Sequence, residues 1–96
     1  MKMVMIVYNE ALDQEVMDIL KGCGIVSYSK VVGTFGCGIA SGTHLGTDIW
    51  PGLNNILYVA CETPEVQGII FQIKVLRKNL GHEGVKVFVL PIEEVA

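Results

Sequence analysis

The chain is short of charge, of basic residues in particular, and of long apolar runs. Charged residues make up 18% of its 96 residues, against a usual share of about 25%. The seven Lys and Arg are scattered, and the net charge is −3. Phosphate backbones and anionic lipids both demand a clustered basic face, so nucleic acid binding and a polybasic membrane anchor are excluded. The cysteines, Cys23, Cys37 and Cys61, are odd in number and without paired spacing, which excludes a disulfide framework. No segment approaches the roughly 18 uninterrupted apolar residues of a membrane helix. The opening run Met3–Val7 is broken by Asn9 and Glu10, and a secretory leader needs a longer stretch and a small-residue cleavage site. A Ser–His–acid order and paired carboxylates on rigid elements are also missing, so the chain does not read as an enzyme. The expectation is a reduced, cytoplasmic, non-catalytic protein with no membrane insertion.

What remains is apolar and regular: 51% of the residues are hydrophobic. Lys2–Tyr8 is a continuous apolar run and predicts a first strand. Ala11–Lys21 places Leu12, Val16, Ile19 and Leu20 on one helical face, with Asn9 as N-cap and Gly22 or Gly24 as the stop. Ile25–Phe35, rich in β-branched and aromatic residues, predicts a second strand, and Asn54–Glu62 a third. Thr63-Pro64-Glu65 opens a second helix: a hydroxyl cap, proline at the first position, and an acid at the positive end of the dipole. Its stripe of Val66, Ile69, Ile70, Ile73, Leu76 and Leu80 leaves Phe71 and Val75 on another side as marks of a contact, and Gly68 suggests a close approach. Val85–Leu90 is a fourth strand. The order strand–helix–strand–strand–helix–strand predicts a single α+β domain over residues 1–96. Its economical architecture is ferredoxin-like βαββαβ, an antiparallel four-stranded sheet with both helices on one face.

That architecture carries a consequence. Two helices cover one face of a sheet, yet strands one, three and four are apolar on both alternations. In strand four Val85, Val87 and Val89 point one way, and Phe88 and Leu90 the other with Lys86. The uncovered face therefore calls for another apolar surface, most simply a second copy of the chain.

Residues 36–52 form a loop with no helical or strand periodicity and hold most of the chemically versatile side chains. Loops longer than about 12–15 residues in compact domains usually carry function. Ser41, Thr43, His44, Asp48 and Trp50 read as a docking loop for a partner, with Trp50-Pro51-Gly52 as a rigid anchor. Cys37, His44 and Asp48 offer thiolate, imidazole and carboxylate to a divalent metal as a second reading. Cys23 and Cys61 read as small buried apolar residues.

The C-terminal run Lys86-Val87-Phe88-Val89-Leu90-Pro91-Ile92-Glu93-Glu94-Val95 resembles the ending of the PII family of nitrogen regulatory proteins. The step Thr34-Phe35-Gly36 resembles the one that opens the family's T-loop, and the element order agrees along nearly the whole chain. The resemblance implies a homotrimer with its sheets facing a central core. It also implies a small effector, commonly an adenine nucleotide, in clefts between subunits, and a loop that docks on a transporter, enzyme or regulator. Carried onto this sequence, the effector residues are Thr34, Phe35, Gly36, Cys37, Gly38 and Lys86. Gly38 stands where the family has a glutamine, Gly81-His82-Glu83-Gly84 is shorter than the family's phosphate loop, and Gly36–Gly52 contains no tyrosine. These departures mark a compact, divergent member. The metal reading has its own architectural parallel in CutA and in metal-linked PII relatives.

Overall fold

The computed structural model describes residues 1–36, 53–80 and 84–96. Strand β1 spans Lys2–Asn9, helix α1 Asp13–Gly22, β2 Ser29–Thr34, β3 Asn54–Cys61, α2 Thr63–Leu80 and β4 Val85–Pro91. The sheet is antiparallel throughout, in the order β2-β3-β1-β4. This is the ferredoxin-like α+β arrangement expected from the sequence.

Register shows how the two faces are made. Leu57, Ile6 and Val87 stand side by side across β3, β1 and β4, as do Val59, Val4 and Val89. Val4, Ile6, Leu57 and Val59 are fully buried, packed with Val16 and Leu20 of α1 and Val66, Ile69 and Ile73 of α2. The alternate residues form the other face in rows: Ala60–Met3–Leu90, Tyr58–Met5–Phe88 and Val31–Ile56–Val7–Lys86. Neither described helix covers these rows; Phe88 and Leu90 are each 44% exposed, and Met3, Met5, Val7, Ile56 and Tyr58 are half-buried.

Most element ends fall within a residue of the sequence reading, and the larger differences, at the starts of α1 and β2, have local causes. A 3-10 turn over Glu10–Leu12 precedes α1, and Asn9 caps that turn rather than the α-helix, its Oδ1 accepting from the Ala11 amide at 2.9 Å. At the other end α1 closes in a Schellman arrangement: Gly24 N–H donates to Lys21 and Ile25 N–H to the Leu20 carbonyl at 2.9 Å. Gly24 adopts φ +78°, which selects it over Gly22 as the stop. Ile25 is thereby claimed by the helix end and packs on the core, so β2 begins only at Ser29 instead of Ile25. It ends at Thr34, short of Phe35.

Helix α2 runs as its start signal and stripe require, with Ile70, Leu76 and Leu80 half-buried and Phe71 and Val75 outside. A Cβ on Gly68 would meet Cys23 Sγ at 3.4 Å, the close approach the glycine suggested. Cys61 is buried as expected. Cys23, at the end of α1, is only half-buried.

Candidate functional site

One end of the sheet gathers Asn9, Thr34, Asn54 and Asn55. The segments 37–52 and 81–83 rejoin the fold there at Leu53 and Gly84, and both junctions are held by the end of β1. The Asn9 amide donates to the Gly84 carbonyl at 2.8 Å, and the Glu10 amide to the Leu53 carbonyl at 3.0 Å. Gly84 takes φ +88°, a conformation that glycine adopts without strain.

The departure of the long loop is equally constrained. Between Val31 and Thr34 the β2–β3 register shifts, with Gly33 at φ +69°, which is the signature of a bulge that re-aims the chain. Thr34 Oγ1 then donates to the Asn54 carbonyl at 2.8 Å. Gly36 lies so close to β3 that a Cβ there would be 2.8 Å from Asn54 Nδ2. Beside it Phe35 is 94% exposed, an apolar ring that no described residue covers.

Beneath this end, on the helix side, lies a network centred on one oxygen. Asp13 Oδ1 accepts from the Tyr8 hydroxyl at 2.5 Å, from Lys30 Nζ at 2.8 Å and from Asn55 Nδ2 at 3.4 Å. The Lys30 ammonium and then the Tyr8 hydroxyl hold the Asp13 carboxyl below its ordinary range. Burial, followed by the hydrogen bond to Asp13, drives the Tyr8 hydroxyl well above its ordinary value. Ionisation of Tyr8 is thus suppressed, and the network acts as a brace: it ties edge strand β2, through Lys30, to the start of α1.

Of the residues singled out from the sequence, Thr34, Phe35, Gly36 and Lys86 are described. Thr34 ends β2 and Lys86 lies near the start of β4, exposed on the open face. These strands are the two edges of the sheet, so about 14 Å, three strand spacings of roughly 4.8 Å, separates them within one subunit. Cys37, Gly38, Ser41, Thr43, His44, Asp48 and Trp50 lie outside the described residues, as do His82 and Glu83. The metal reading with Cys37, His44 and Asp48 falls there too; among the described residues no cluster of three His, Cys, Asp or Glu could hold an ion. The Cys23 and Cys61 thiols are both pushed up, by burial first and for Cys61 also by Glu65 and Glu62, which makes them poor nucleophiles. No described helix is long and apolar enough to cross a membrane.

Sequence reasoning missed Asp13, Lys30, Asn54 and Asn55. A lysine within a mostly apolar strand and an Asn-Asn pair at a strand head were signals, because polar side chains at buried strand ends need partners.

The family model for nitrogen regulatory protein P-II matches residues 1–96, the whole chain. The chain belongs to the P-II family. No curated protein matches it in sequence, and its similarity to solved P-II relatives is one of fold. It superposes on CPII from Thiomonas intermedia K12, bound to ADP, AMP and acetate, with a TM-score of 0.75 at 17% identity, covering 99% of this chain and 88% of that one. A second CPII structure, bound to ADP, AMP and bicarbonate, gives a TM-score of 0.69 at 17% identity over 99% of this chain and 90% of the other. A putative PII-like signaling protein from Thermus thermophilus gives 0.65 at 20% identity, over 92% and 81%. The P-II chain described here therefore keeps the family's sheet and helices while most of its side chains differ.

Proposed function

We propose that this P-II protein is a cytoplasmic regulator rather than a catalyst. Three copies close their open sheet faces on one another, and an adenine nucleotide occupies each cleft between neighbours. The observation that carries the reading is the placement of Thr34–Gly36 and Lys86 on opposite edges of one sheet. A single subunit separates them; when sheets meet around a common axis, the Lys86 edge of one subunit comes beside the Thr34–Gly36 edge of the next. Lys86 then supplies a compact positive charge for a phosphate, and the exposed Phe35 and the backbone around Gly36 a wall for the base. The CPII structures that share this fold hold ADP and AMP, which favours those nucleotides over a metal ion. Loop 36–52, leaving directly from the cleft, docks on a partner protein, with Ser41, Thr43, His44, Asp48 and Trp50 as its contact residues. Because occupancy of the cleft and loop conformation share these residues, partner and nucleotide strengthen each other's binding by the same factor.

Calorimetric titration with ADP, AMP and ATP, run beside sedimentation, tests this. The expected result is saturable heat from an assembled species, lost in Lys86→Ala while the assembly persists. Absence of heat with all three nucleotides, or nucleotide binding by a 10.5 kDa monomer, overturns it. A response to zinc that disappears in His44→Ala, with none to nucleotide, assigns the site to metal instead.

A further inference from the structure

Although the basic residues are scattered over the chain as a whole, α2 carries the densest run of them, and Lys74 and Lys78 of that run are exposed. Lys74, Arg77 and Lys78 are three of the seven Lys and Arg of the whole sequence, and the helix carries no acid beyond Glu65 in its first turn. Phe71, Lys74, Val75 and Lys78 follow one another at i, i+3, i+4 and i+7, so they share a face. All four are exposed, Phe71 at 63% and Val75 at 42%. None contributes to the core, which α2 serves through Val66, Ile69 and Ile73. The neighbouring helix is opposite in character: α1 presents Glu15 and Asp18 to solvent, and Glu10 is exposed in the turn before it.

We propose that this stripe is a second docking surface, for an amphipathic acidic segment of another protein. Apolar side chains of the segment cover Phe71 and Val75 while its carboxylates face Lys74 and Lys78. The charge pattern fixes the class of partner. A flat anionic lipid surface would lie across both helices and meet the acidic residues of α1, whereas a single helix or strand fits along α2 alone. A further copy of this chain is a poor occupant, because a two-fold contact through this face sets Lys74 and Lys78 against the same cations of the other copy. The stripe lies on the helix layer, away from the clefts between sheet edges. The proposal therefore stands whether or not a nucleotide binds.

The test uses the full chain and a fluorescent synthetic peptide of leucine and glutamate at helical spacing, with a scrambled peptide of the same composition as the comparison. Anisotropy should show binding of the patterned peptide that weakens with added salt and is unaffected by ADP. It should fall about tenfold or more in Phe71→Ser, and be lost in Lys74→Glu/Lys78→Glu, with melting temperatures near that of the parent protein. Equal binding of the scrambled peptide, or indifference to these substitutions, overturns the proposal. So does a preference for phosphatidylglycerol vesicles over the peptide, or light scattering that reports growth of the unmodified protein beyond the trimer and its cure by the charge reversal.

Discussion

The two faces of the sheet are built from the same strands and are nearly equally apolar, yet they end in opposite states. On the helix side Val4, Ile6, Leu57 and Val59 are wholly buried; one residue along, Met3, Met5, Val7, Ile56 and Tyr58 keep part of their surface in water. Hydrophobicity alone does not distinguish the sets; strand parity does. Their shapes differ as well. Within β1 the covered side carries stiff branched Val4 and Ile6, whereas the open side mixes branched Val7 with Met3 and Met5, whose flexible thioethers can adapt to an opposing surface. One face is finished within the chain, and the other is the one that the proposed assembly would cover.

The sharpest way to break that distinction is a pair of mirrored substitutions. Val59→Asp places an unpaired charge among side chains with no access to water, at a cost of several kcal/mol against a total stability of about 5–15 kcal/mol. The expected outcome is an unfolded chain by circular dichroism. Met5→Asp puts the same charge on the open face. The expected outcome there is a folded monomer by sedimentation, with helix and strand content intact. If Met5→Asp unfolded the chain as fully as Val59→Asp, the two faces would be equivalent and assembly would not explain the open one.

The sequence exposed this contrast because alternation is a backbone property: once β1, β3 and β4 are recognised, parity assigns their residues to faces without further information. The six elements were legible for the same reason, through periodicity, Asn9, and the Thr63-Pro64-Glu65 start. Less legible was anything decided by where a chain end is pinned. The late start of β2 follows from the Leu20–Ile25 hydrogen bond of the Schellman cap, a competition between a helix end and a strand for the same residue. The Asp13 brace joins residues 8, 13, 30 and 55, and no local pattern reports contacts across such separations. For the candidate site, Thr34 and Lys86 were identified by resemblance. Their separation on opposite edges comes from strand order, which is why the proposed cleft draws on two subunits.

That brace lies at the polar end of the covered face and gives a middle-sized effect. Asp13→Ala removes the acceptor of the Tyr8 hydroxyl, which is itself almost wholly buried. An unsatisfied buried hydroxyl costs about 1–3 kcal/mol, so a lowered denaturation midpoint is expected. The charge adds a pH signature. The folded carboxyl lies below its ordinary value of 3.8, so between the two values the unfolded chain binds the extra proton. The contribution of Asp13 is therefore complete above about pH 4 and declines as pH falls through the folded value. Asp13→Asn should flatten this acid limb of the stability curve; an acid limb unchanged by the substitution would remove Asp13 from the account.

The smallest effect tests how completely the helix side is filled. Gly68 lies in α2 facing Cys23, and an added methyl would meet the thiol at 3.4 Å, an ordinary van der Waals distance. Glycine inside a helix costs up to about 1 kcal/mol relative to alanine, so Gly68→Ala should stabilise the chain by about 0.5 kcal/mol once slight crowding at Cys23 is subtracted. In a domain of this size that is a rise of about 2–4 °C in Tm. A fall of the same size would mean that the seam between α1 and α2 is already packed to its limit, and that the glycine is there for helix approach rather than tolerated by it. Repeating the change in Cys23→Ala separates the cases: crowding is relieved by the smaller side chain, whereas a propensity effect is left unchanged.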